Sequence, residues 1–164
     1  MSVDYDKLNK ERLRSASQVV KKLDLDALVA TAFDNVRYLT GRRAFFVTGW
    51  EPNAVAILTK EGEVFFQHAD EYVAPSPIWR NKAAALRKER FWFNYSTFNP
   101  TIVSDMWVQW LVKSLDNLGV RKGRIGLDRS PWQWYAEIRN KRPELEIVNA
   151  EEDLLLARAV KNSE

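Results

Sequence analysis

The sequence predicts an α/β fold: a three-layer α/β/α arrangement around a mixed sheet of about five or six strands. Three observations carry that expectation. Short apolar runs of strand length alternate along the chain with longer segments whose apolar residues recur at helical spacing. Two such runs, 54–59 and 63–67, are separated only by Lys60-Glu61-Gly62, a hairpin signal that inserts an antiparallel pair into the pattern. The apolar run Ala27-Leu28-Val29-Ala30 leads into a polar, glycine-punctuated stretch, Asp34–Arg43. That places arginines and a tyrosine near the carboxyl end of a strand, where open α/β sheets gather their working residues.

Taken in order, residues 5–23 read as an amphipathic helix, with Leu8, Leu13, Ala16, Val19, Val20 and Leu23 on one stripe and Lys and Arg between them. A turn and the first strand follow over 24–31. In Asp34–Arg43, Val36 and Leu39 stand three apart, so one short helical turn is expected. Asp34 or Asn35 can cap it and Gly41 can end it. Residues 44–50 are a strand or a loop crossing the sheet. The hairpin comes next, then a polar segment ending in Pro75-Ser76-Pro77. A helix is expected over 78–88 and a strand over 90–95. The strongest helical pattern runs from Thr101 to Leu118 and closes at Gly119. A short strand, Arg124–Asp128, precedes a helix opened by Ser130-Pro131 and running to about Asn140. The last strand covers 145–148 and the last helix 150–160.

At 164 residues the chain suits one domain, 1–164, with a core of its own. The net charge of +3 is mild, so nucleic acid is an unfavoured partner. Absence of cysteine excludes disulfides, thiolate metal ligands and cysteine nucleophiles. The N-terminus lacks a basic region followed by an apolar core, and no apolar run reaches membrane-spanning length, so a cytoplasmic location without membrane contact is expected. Seven tryptophans are far more than a chain of this size usually carries. Indoles concentrate in cores, at interfaces and around ligands. Trp107 and Trp110 fall on the buried stripe of their helix, which leaves Trp79 and Trp92 as the candidates for a self-association surface.

A catalytic constellation is not visible. His68 is the sole histidine, and Asp70 and Glu71 are too close to it in sequence to complete a metal shell. There is no Gly-x-Ser-x-Gly elbow and no glycine-rich phosphate loop. Glu151-Glu152-Asp153 suits the start of a helix better than acid–base work. Basic residues gather at Arg37/Arg42/Arg43 and at Arg80/Lys82/Arg87/Lys88/Arg90. With Trp79, Phe91 and Trp92 nearby, a free-standing nucleic-acid-binding or small-molecule-binding domain is the alternative reading.

Four stretches in order resemble a known family: Leu25–Val29 continued by Asp34-Asn35-Val36-Arg37-Tyr38-Leu39-Thr40-Gly41, then Ala54–Val64, then Arg124–Asp128, and finally Leu155–Glu164 with Arg158, Lys161 and Glu164. Together they are similar to the N-terminal domain of the creatinase, prolidase and aminopeptidase P family. The resemblance implies that domain's fold, with a ribonuclease H-like motif, and a non-catalytic role in oligomerisation and in shaping the substrate entrance. It implies a homodimer, and a C-terminal pita-bread catalytic domain beginning after about residue 160, which this sequence does not include. That domain would carry the parent metallopeptidase's binuclear divalent metal (Mn, Co or Zn), with no cofactor in residues 1–164. Arg37, Tyr38, Arg42 and Arg43 occupy the loop that faces the entrance, and Trp50 and His68 could line the same mouth. The Arg42–Arg43 pair departs from the family's commoner Gly-aromatic continuation. It suits a small acidic substrate as well as a proline peptide.

Overall fold

The computed structural model describes residues 5–41, 54–68, 100–130 and 132–159. Five helices and five strands lie in these residues: α1 (Tyr5–Lys22), β1 (Ala27–Ala30), α2 (Phe33–Thr40), β2 (Ala54–Thr59), β3 (Val64–His68), α3 (Pro100–Asn117), β4 (Gly123–Leu127), α4 (Trp132–Lys141), β5 (Leu145–Asn149) and α5 (Glu151–Ala159). The helix expected over 78–88 and the strand expected over 90–95 lie outside the described residues.

The strands form one mixed sheet in the order β3-β2-β1-β4-β5. β1 pairs antiparallel with β2, and β2 with β3, through the predicted hairpin. On its other edge β1 pairs parallel with β4, and β4 with β5. Every residue of β1 is buried, as a central strand covered on both faces requires.

Alternation along β1 divides the core into two layers. Leu28 and Ala30 face a cluster with Ala16 and Val20 of α1, Val36 and Leu39 of α2, and Leu154 of α5. Ala27 and Val29 face the other, with Trp107, Leu111 and Leu115 of α3 and Trp134 and Ile138 of α4. The period-two pattern of a strand and the 3.6-residue period of the helices thus meet on both sides of one sheet. Trp107 and Trp134 stack there with ring centroids 3.6 Å apart and planes 13° from parallel. Trp107 lies in the core as its helical stripe predicts, and Trp110 packs partly buried beside it.

Helix ends explain where the elements stop. After α1, Asp24 takes a left-handed conformation (φ 52°). Its N–H donates to the Lys21 carbonyl and that of Leu25 to the Val20 carbonyl, closing a Schellman turn. Gly119 (φ 80°) ends α3 in the same way, with Gly119 N–H to Asp116 and Val120 N–H to Leu115. α4 opens less simply than its Ser-Pro start suggests, because the Ser130 hydroxyl finds no hydrogen-bond partner. α5 opens on a cap that the acidic triplet had hidden. The Glu151 N–H donates to Asn149 Oδ1 at 3.0 Å.

The sheet is tight around Gly126 in β4. A Cβ there would stand 2.5 Å from Leu25 Cδ1 and 3.0 Å from Ala150 Cβ. Gly126→Ala is therefore expected to destabilise the chain by about 1–3 kcal/mol, the usual range for overpacking a filled core. Urea denaturation monitored by tryptophan fluorescence measures it, and an unchanged midpoint would refute the fit described here.

Candidate functional site

The strand order places a switch point between β1 and β4. From β1 the chain proceeds to β2 on one side, and from β4 to β5 on the other. In open α/β sheets the crevice beyond the carboxyl ends of such a pair is the usual ligand site. Here the carboxylate of Asp128 stands at those strand ends. Asp128 follows directly on β4 and is 1% exposed. Its carboxylate accepts from the Thr31 N–H (2.9 and 3.0 Å to the two oxygens), the Thr31 hydroxyl (2.8 Å), the Ala32 N–H (2.9 Å) and Asn35 Nδ2 (2.9 Å).

This arrangement corrects the expected cap of α2. The N-cap residue is Ala32, which has no side chain to offer, and neither Asp34 nor Asn35 caps the helix. The negative charge that suits a helix N-terminus comes instead from Asp128, nearly a hundred residues away in sequence. The predicted single turn extends to eight residues, Phe33–Thr40. Gly41 ends it as expected, in the left-handed region (φ 66°), with its N–H on the Arg37 carbonyl at 2.7 Å.

Of the other functional candidates, Arg37, Tyr38 and His68 fall within the described residues. Arg37 is exposed on α2. Tyr38, one position on, is half-buried, and its hydroxyl donates to the Ala157 carbonyl at 3.0 Å. The Arg12 guanidinium lies 5.9 Å from the centre of its ring, within cation–π range. Burial raises the Tyr38 pKa above that of an ordinary phenol, although a bond with Ser15 and the nearby Arg12 and Arg158 act against the shift. Tyr135, whose hydroxyl lies 3.5 Å from the Asp128 carbonyl, is raised as well, first by burial and then by the negative charge of Asp128 and Glu151. Arg158 reaches from α5 to Asn35 Oδ1 (2.6 Å) and to Asp34 (3.4 Å). His68 closes β3, opposite Ala54. Arg42, Arg43, Trp50, Trp79 and Trp92 lie outside the described residues. Among the described residues no three His, Cys, Asp or Glu side chains stand together as metal ligands.

Residues 12–160 match the Creatinase/Prolidase N-terminal domain. The chain belongs to that family. Several solved structures share the fold of this creatinase/prolidase N-terminal domain. An XXA-pro aminopeptidase from Streptococcus pyogenes aligns with a TM-score of 0.58 at 14% identity, over 93% of this chain and 98% of that one. A dipeptidase from Pyrococcus horikoshii aligns with a TM-score of 0.58 at 23% identity, over 93% of this chain but 37% of its own. The N-terminal domain of the cytoplasmic peptidase PepQ from Mycobacterium tuberculosis aligns with a TM-score of 0.51 at 17% identity, over 92% and 99%. No curated protein sequence matches significantly. Among the described residues no helix is long and apolar enough to cross a membrane.

Sequence reasoning pointed to the edge that follows β1 and missed Asp128, the buried carboxylate that organises it. Asp128, Thr31 and Arg158 were not expected to act together. One signal was available: a carboxylate immediately after a fully apolar strand must find donors where the strand ends. Asp128→Asn places an amide N–H₂ among donors that need an acceptor. It is expected to lower stability by about 2–4 kcal/mol in urea denaturation, and an effect below about 1 kcal/mol would contradict the network.

The two tyrosines give an alkaline signature. A phenol whose folded-state pKa is raised contributes stability that is whole below its unfolded value, about 10, and is lost as pH rises through the folded value. Absorbance titration is expected to show Tyr38 and Tyr135 ionising late. In Tyr38→Phe one late phenol should be lost, with a shallower fall in stability above about pH 10.

Proposed function

We propose that this chain serves as the non-catalytic N-terminal domain of a metal-dependent hydrolase of the Xaa-Pro dipeptidase, aminopeptidase P or creatinase type. In that role it contributes to oligomerisation and to the wall of the substrate entrance. The observation that carries the proposal is the family membership over residues 12–160. Similar folds in an aminopeptidase, a dipeptidase and a peptidase support it.

The chemistry of the described residues agrees with an accessory role. Asp128, the buried carboxylate at the switch point, has both oxygens committed to donors. The proposal puts the divalent metal centre of such a hydrolase, Mn, Co or Zn, in a separate catalytic domain of the parent protein. Arg37 is exposed where α2 runs toward Arg42 and Arg43. Guanidinium groups in that loop can hold a carboxylate bidentately, which suits the end of a short peptide or a small acidic substrate. Trp50 and His68 complete the proposed mouth.

For association, Trp132 at the start of α4 is 74% exposed, and Leu155 and Leu156 on α5 are 46% and 58% exposed. Large apolar side chains left in water favour a partner, and the proposal adds Trp79 and Trp92 to that surface. The partners are a second copy and the catalytic domain that follows in a full-length enzyme; the cytoplasm is the proposed location.

The chain is expected to show no turnover of Xaa-Pro dipeptides with added Mn²⁺ or Co²⁺, and hydrolysis would overturn the accessory role. Sedimentation equilibrium is expected to give a mass above the 19.1 kDa of one chain. A strict monomer at high concentration would remove the homodimer from the proposal.

A further inference from the structure

Asn35 is 2% exposed and bonded at both ends of its carboxamide. Nδ2 donates to Asp128 Oδ2 at 2.9 Å, and Oδ1 accepts from Arg158 Nη1 at 2.6 Å. The two ends are not interchangeable. A carboxylate only accepts and a guanidinium only donates, so the neighbours dictate how the amide points. Asp128 belongs to the closed edge of β1 and β4, and Arg158 belongs to the last turn of α5. One amide therefore bridges two units that lie far apart in sequence.

α5 is seated by one core leucine and by polar contacts, the bridge among them. Of its leucines, Leu154 is fully buried, while Leu155 and Leu156 face water. Its final turn is held to α2 by polar contacts: Arg158 to Asn35 and Asp34, and the Tyr38 hydroxyl to the Ala157 carbonyl. Near its start, Asp153 pairs with Lys22 of α1 at the surface, where such a pair contributes little.

We propose that Asn35 is a positioning residue that couples the seating of α5 to the Asp128 cluster in both directions. Movement of α5 withdraws Arg158, frees the amide and weakens the hold of Asp128 on the start of α2. Loss of the Asp128 acceptor likewise loosens the last turn of α5. Coupling between two sites is reciprocal by necessity. A partner that engages the open leucines of α5 is therefore felt along α2, which carries Arg37 and leads to Arg42 and Arg43. This inference concerns the mechanics of the chain itself and stands whether or not the role in a hydrolase holds.

The test uses the ¹⁵N-labelled chain. Arg158→Gln is expected to shift the side-chain amide resonances of Asn35 and the backbone amides of Thr31 and Ala32, with Arg158→Lys restoring part of the shift. Asp128→Asn is expected to speed hydrogen exchange of the α5 amides about tenfold relative to those of α3, which lie across the sheet. Should that variant not fold, Thr31→Val, which removes the hydroxyl's bond to Asp128 Oδ1, takes its place with the same expected direction. Unmoved Thr31 and Ala32 amides in Arg158→Gln would overturn the coupling. So would α5 exchange that rises no more than that of α3, since loss of overall stability moves both alike.

Discussion

A buried carboxylate must be surrounded by donors or it cannot stay charged and buried, and that requirement shapes the middle of this protein. Asp128 leaves β4 at the point where β1 also ends, and the backbone amides of Thr31 and Ala32 turn inward to meet it. The start of α2 is thereby fixed to the parallel half of the sheet, whereas the strand that follows it, β2, belongs to the antiparallel half. The ladders of β1 join the two halves, and Asp128 adds a side-chain tie at the end of that junction. The same contact lies at the strand ends where many sheets of this kind hold a ligand.

Most of the architecture could be read from the residues. The apolar runs at 27–30 and 54–59 are strands because their apolar residues need cover on both faces, Leu145-Glu146-Ile147-Val148 alternates as a strand at the sheet edge does, and the Lys60-Glu61-Gly62 turn leaves the hairpin little alternative. α1 and α3 carry stripes long enough to identify from spacing. Their ends were equally plain at Gly119, because glycine is at ease in the left-handed conformation that closes a helix. Asp24 does the same with a side chain that makes the position less conspicuous.

The network at the switch point was harder to read, for a physical reason. Spacing rules describe neighbours along the chain, and the contacts of Asp128 cross from one end of the sequence to the other. Asp34 looked like a cap because caps are normally local, yet it lies mostly in solvent and faces Arg158. Tyr38 stood out as an entrance residue by its loop position. Its hydroxyl is engaged with the end of α5, a contact that no local pattern announces.

The centre of the sheet also constrains how the polypeptide finds its shape. β2 and β3 can zip together early, since only the four residues Lys60-Glu61-Gly62-Glu63 separate Thr59 from Val64 and their pairing demands little loop closure. β1 has no such neighbour. Its parallel partner is β4, with Ala27 beside Ile125, so a long span of chain must be brought back before the innermost strand is complete. Non-local pairing of this kind is slow. The central strand, most apolar of all, waits longest for its second edge, and until then its exposed backbone is the segment most open to pairing with another molecule.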